Sequence, residues 1–128
     1  MKILVVHRQN ETVEAIKSVL SGCNPVVRNS ESGLDGLLTS RIEHFDLIIC
    51  GTDLPVVTGF ELVRSIRNHS RNNHTAVIFI CDKLDEKMIA IGNSLAVLGM
   101  LGLEDIQSKL YDLVVDNVRS GTEDFSLR

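Results

Sequence analysis

The chain alternates short, mostly unbroken apolar runs with longer stretches in which apolar positions recur every three to four residues. Runs at Ile3 to Val6, Leu47 to Cys50, Val77 to Ile80 and Val97 to Leu101 predict strands, with a weaker one at Val26-Val27. A strand with one wet face would carry polar residues at every second position, so continuous runs point to parallel strands covered on both faces. Helical faces are predicted at Val13, Ile16 and Leu20, at Leu34, Leu37 and Leu38, and at Leu62, Val63 and Ile66. Two more follow at Leu84, Met88, Ile91 and Leu95, and at Leu103, Ile106, Leu110 and Leu113. Thr58 and Glu61 have capping-box spacing at the head of the third helix, while Asn10 and Asp82 are the expected N-caps of the first and fourth.

Strand and helix thus alternate five times, which right-handed crossovers turn into a doubly wound parallel sheet, here expected in order 2-1-3-4-5 with helices on both faces. Ligands in such folds sit outside the carboxyl ends of the strands. The residues to inspect are therefore His7 and Arg8, Gly51 to Pro55, Cys81 and Asp82, and Leu101. With 128 residues the chain has one domain's length, expected over 1–118, followed by a polar tail or linker start at 119–128.

Composition narrows the classes. Hydrophobic residues at 44% and charged residues at 23% fit a globular fold and exclude disorder. A net charge of −4 supplies no basic field for nucleic acid or an anionic membrane. Cys23, Cys50 and Cys81 lack zinc or disulfide spacing and read as small core residues in a reducing compartment. Without a signal-peptide pattern or a run of transmembrane length, a cytoplasmic location is expected.

Met1-Lys-Ile-Leu-Val-Val6 and Asp46-Leu-Ile-Ile-Cys-Gly-Thr-Asp-Leu-Pro-Val-Val-Thr-Gly-Phe-Glu-Leu-Val-Arg-Ser-Ile-Arg67 resemble the first strand, and the third strand, loop and helix, of receiver domains in two-component response regulators. The resemblance is chemotaxis-regulator-like, covers nearly the whole chain and implies a flavodoxin-like fold. In such domains an aspartate ending the third strand accepts a phosphoryl group, with magnesium held by it and by an acidic pair after the first strand. A hydroxyl and a lysine then hold the phosphoryl oxygens. In this register the aspartate's place falls at Gly51, the acidic pair at His7-Arg8, the hydroxyl at Cys81 and the lysine-proline pair at Leu101-Gly102. The switch aromatic's place falls at Leu98.

None of these residues can do the family's chemistry. Glycine cannot form an acyl phosphate, and a permanently charged arginine cannot ligate magnesium. An atypical receiver is expected: not an enzyme, needing no cofactor or metal, and acting without phosphorylation by binding another signalling protein or itself. Two alternatives remain, a pseudo-receiver whose emptied crevice binds a small molecule, and a displaced phosphoacceptor at Asp53. Asp53 is also the expected partner of Arg8, the cation standing where magnesium would sit; the plainer expectation leaves both solvated at the rim. A Cys81–His7–Asp53 nucleophile or metal set lacks an activating loop or a fourth ligand.

Two surfaces are expected. Ile89, Leu98, Tyr111, Val115 and Val118 form the interaction face on the fourth helix, fifth strand and fifth helix, where related receivers meet partners. Arg64, Arg67 and Arg71 with His69 and His74 form a basic cluster that suits an acidic partner or a helix C-terminus. Whatever follows Arg128 in the gene would name the pathway.

Overall fold

The computed structural model describes residues 1–126, excluding the side chains of 69 and 119–126. Five parallel strands, β1 (Lys2–Val6), β2 (Val26–Ser30), β3 (Leu47–Gly51), β4 (Ala76–Cys81) and β5 (Gly99–Gly102), line up in the order β2-β1-β3-β4-β5. The helices between and after them are α1 (Asn10–Val19), α2 (Gly33–Ile42), α3 (Gly59–His69), α4 (Glu86–Ser94) and α5 (Tyr111–Ser126), the last entered through a π-helical stretch at Ile106–Leu110. The tail expected over 119–128 falls on side chains outside the description, and residues 127–128 lie outside the described residues altogether.

Strand alternation explains the unbroken apolar runs. Ile3, Val5, Leu47, Ile49, Ile78, Ile80 and Leu101 form one core layer with Val13, Ile16 and Leu20 of α1 and with Ile106, Leu110 and Val114. Leu4, Val6, Ile48, Cys50, Val77, Phe79 and Cys81 form the other, under Leu62, Val63 and Ile66 of α3. In β1, β3 and β4 nearly every residue is apolar because both faces of the sheet are covered there, whereas the edge strand β2 is largely exposed and carries Arg28 and Asn29.

The capping box at α3 forms as expected: Thr58 Oγ1 accepts from Glu61 N at 3.2 Å, and Thr58 N donates to Glu61 Oε1 at 3.4 Å. Two other caps move. Gln9, not Asn10, precedes α1 and makes no side-chain cap, and Asp85, not Asp82, caps α4 by accepting from Met88 N at 2.8 Å.

The largest correction concerns α2. Leu34 and Leu38 do not face the core; they are 55% and 52% exposed, while Gly33, Gly36 and Ser40 are the buried positions and Leu37 is half-buried. The helix lies so close over β1 that a Cβ on Gly36 would come within 2.8 Å of Val6 Cγ2, and one on Gly33 would strike the Val57 carbonyl. Only small residues fit beneath it, so the leucines turn outward.

Candidate functional site

Because the strands are parallel, their carboxyl ends meet along one edge of the sheet. There His7 stands against Gly51 at the end of β3 and Arg8 against Asp53, with Cys81 ending the neighbouring β4. Gly59 makes this edge tight, since a Cβ on it would collide with the Gly51 carbonyl at the end of β3. Its amide donates to Thr52 O at 3.1 Å, which seats the start of α3 against the crevice.

Leu101 is not part of this edge. It is buried in the core layer under α1 and α5, because β5 begins at Gly99 rather than Val97 and ends at Gly102. The strand thus starts two residues later and ends one residue later than the apolar run predicts, and no residue from Gly99 to Glu104 carries an amino group or a ring. Glu104 folds back over the strand end, with its Oε1 2.7 Å from where a Cβ on Gly102 would stand.

The crevice at Gly51 is filled. The His7 side chain is buried, and its Cδ2 would lie 2.9 Å from a Cβ on residue 51, too close for that carbon to exist without movement. His7 Nδ1 accepts from Gln9 N at 3.1 Å, which fixes the ring. Burial holds the His7 pKa below its ordinary value; Asp82 and, weakly, Asp53 oppose that shift and Arg8 adds to it.

Magnesium does not fit the side chains present. Arg8 has no lone pair to give, His7 Nδ1 is already engaged and the Asp53 carboxylate is paired with Arg8, with Asp82 the other carboxylate lining the adjacent cleft. Among the described residues no three His, Cys, Asp or Glu side chains cluster as a metal site. Arg8 Nη2 instead pairs with Asp53 Oδ2 at 3.0 Å, the side chains being 46% and 68% exposed. The expected pair therefore forms, but at the rim.

Cys50 and Cys81 are fully buried, and burial pushes both thiols above their ordinary pKa, with the Thr52 hydroxyl partly offsetting the shift at Cys81. Such thiols are protonated and inert. Beside them opens a cleft of about 370 Å³ lined by Asp53, Phe60, Asp82, Lys83 and Met88 among others. Lys83, two residues past the end of β4, escaped the sequence reading because nothing in its local pattern marks a loop cation as lining a cleft.

The two expected surfaces also change. Arg67 is committed to structure: it donates to the carbonyls of Thr75 at 2.7 Å, Leu95 at 3.0 Å, Asn73 at 3.1 Å and Ala96 at 3.3 Å, so the basic cluster has less free charge than its sequence implies. The side chain of His69 lies outside the description. On α5, Tyr111 Cε2 would be 3.7 Å from a Cβ on Gly22 at the foot of α1, whereas Leu113 packs toward Gly99 at the start of β5. Residues two apart on a helix point about 200° apart. The stripe of Tyr111, Val115 and Val118 thus lies on the α1 side, Ile89 stands apart on α4, and Leu98 packs inward on the core.

Comparison with known proteins agrees with the fold. The sequence pattern of the family described as "Response regulator receiver domain" matches residues 3–103. The transcriptional regulatory protein CusR of Escherichia coli K12 is 32% identical over 71 residues, which are 56% of this chain and 31% of that protein. The chain thus spans under a third of the length of that relative. Among solved structures, the signal receiver domain of an HD domain-containing protein from Pseudomonas fluorescens Pf-5 superposes with a TM-score of 0.78 at 24% identity, covering 95% of this chain and 97% of that one. Vibrio cholerae chemotaxis protein CheY4 gives 0.75 at 20% identity, over 93% and 96%.

Proposed function

This chain belongs to the response regulator receiver domain family, and on that premise we propose that it is a phosphorylation-independent receiver module that signals by protein–protein contact. Receiver domains are signalling modules. One observation carries the finer reading: the ring of His7 fills the space at residue 51, so the phosphoacceptor position is closed as well as chemically blank. The missing lysine and the absence of a magnesium donor set support it. The docking surface we assign to the α1 side of α5, where Tyr111 and Val118 are 43% and 44% exposed. Aromatic anchors on a partly apolar face suit a partner protein. No helix among the described residues is long and apolar enough to cross a membrane, and we take the module to act in the cytoplasm.

The test is chemical. Magnesium with beryllium fluoride, or acetyl phosphate, should leave the amide NMR spectrum and the melting temperature unchanged, since any ligand selective for the native state raises its stability. Saturable shifts centred on Asp53 would overturn the reading in favour of displaced phosphorylation. Docking is tested separately: Tyr111→Ala with Val118→Glu, shown by circular dichroism to be folded, should lose partners that the parent retains in pull-downs.

A second reading has its own observation. The cleft sets Asp53, Asp82 and Lys83 against the apolar Phe60 and Met88, a mixed polar and apolar lining suited to a small metabolite. Shifts of Lys83 and Met88 in a metabolite screen would favour it.

A further inference from the structure

At the amino ends of the adjacent strands β3 and β4, the opposite end of the sheet from Gly51, two loops are tied together by buried hydrogen bonds. Phe45 N donates to Asn72 Oδ1 at 2.7 Å, and Thr75 Oγ1 donates to Phe45 O at 3.1 Å. Arg67 Nη1 steadies the second loop by donating to the carbonyls of Asn73 at 3.1 Å and Thr75 at 2.7 Å. With Phe45, Asn72 and Thr75 turned inward, their neighbours His44, Asp46, Arg71, Asn73 and His74 are exposed. These five, with Asn117 of α5, line a cleft of about 470 Å³, a volume in the range of small-molecule sites. Arg71 and His74 belong to the basic cluster of the sequence, but the fold joins them to His44 on the other loop. Among the described residues His44, Arg71 and His74 enter no salt bridge. Asp46 is the single carboxylate among these lining residues, and its Oδ2 accepts from the Lys2 main-chain amide at 2.7 Å.

We propose that this cleft binds a small phosphate ester bearing hydroxyl groups, of the size of a sugar phosphate or a mononucleotide. Arg71 offers a planar fork that matches two phosphoryl oxygens, and the rings of His44 and His74 add N–H donors. Asp46 Oδ1 and the side-chain carbonyls of Asn73 and Asn117 are acceptors for ligand hydroxyls. Inorganic phosphate uses only the first half of this set, and an uncharged sugar only the second. A single metal ion does not suit it, since no three His, Cys, Asp or Glu side chains among the described residues cluster as a metal site. Because both loops are already fixed from beneath, little backbone ordering opposes binding. The cleft is remote from Gly51 and Asp53, so it stands or falls independently of phosphorylation.

Amide NMR titration of the full chain with ribose 5-phosphate and with adenosine monophosphate tests it, at fixed ionic strength, with ribose, adenosine and inorganic phosphate as controls. At least one ester should give saturable shifts centred on His44, Asp46, Arg71 to Thr75 and Asn117, and should raise the melting temperature. Ribose and adenosine should give none, and inorganic phosphate should bind at least tenfold more weakly than that ester. Arg71→Ala and His74→Ala, exposed positions that leave the core intact, should each weaken binding at least tenfold. Arg71→Lys, which keeps the charge and loses the fork, should also weaken it. Shifts that only grow linearly to millimolar ester, shifts that gather at Asp53 and Lys83 instead, inorganic phosphate binding as tightly as the esters, or binding undiminished by Arg71→Ala would overturn the proposal.

Discussion

His7 and Gly51 are two halves of one packing arrangement: the imidazole stands where a side chain on residue 51 would go, with Cδ2 2.9 Å from the missing Cβ. Gly51→Ala should therefore cost about 1–3 kcal/mol as an overpacked site, and the cost should shrink when His7→Ala clears the space. Urea denaturation of the two single variants and the double variant measures this coupling. Equal costs of Gly51→Ala in both backgrounds would place the strain elsewhere.

Restoring an aspartate at residue 51 alone should not restore phosphoryl chemistry, because the new carboxylate has to displace a buried ring and then finds Arg8 where a metal would sit. Acetyl phosphate should leave Gly51→Asp unmodified in intact-mass measurements.

The His7 pKa is lowered by burial, with Asp82 and Asp53 opposing and Arg8 reinforcing the shift. The folded value lies below the unfolded one of about 6.5, so the unfolded chain takes up the proton first. Stability contributed by neutral His7 is complete above about pH 6.5 and is lost as pH falls below it. Melting curves of the parent and of His7→Asn should run parallel above neutrality and diverge below that point, the parent losing stability faster. Parallel curves throughout would mean that His7 titrates normally.

The Arg8–Asp53 bridge is 46% and 68% exposed at its two ends, which makes it a solvated pair worth less than about 1 kcal/mol. A double-mutant cycle should give a coupling within that range that fades in high salt. A larger coupling would mean that the rim closes over the pair in solution.

Asn72 ties its own loop to the end of α2 and to the loop before β3. Its Oδ1 accepts from Phe45 N at 2.7 Å and Thr75 Oγ1 at 3.1 Å, while Nδ2 donates to Ser40 O at 2.6 Å and Glu43 O at 2.8 Å. Asn72→Ala strands the buried Phe45 amide and should cost about 1–3 kcal/mol in chemical denaturation, by the expense of an orphaned buried polar group. A loss below about 1 kcal/mol would show that water replaces the side chain.

Local pattern was enough for the sheet, the order of its elements and the ends of β1, β3 and β4 to within one residue, because burial on both faces leaves unbroken apolar runs that periodicity alone can read. That Gly51 has no carboxylate and Arg8 no lone pair for a metal was legible too, since residue identity settles both. The start of β5 was not: Val97 and Leu98 are as apolar as a strand, and only the ladder pairing Ile78 with Gly99 sets the register that buries Leu101. Which way α2 turns was equally hidden, because Gly33 and Gly36 gain their meaning only once Val6 and Val57 lie beneath them. Arg67 reads in the sequence as one of a basic cluster and nothing local marks Asn72, whereas the folded chain delivers carbonyls from distant segments to both. What sequence determined about this protein is its fold class and which side chains stand at the ends of its strands. What tertiary structure decided is that His7 closes the crevice, that the leucines of α2 face outward and that Tyr111 points toward α1, for each of these depends on contacts between residues far apart in the chain, which no local spacing encodes.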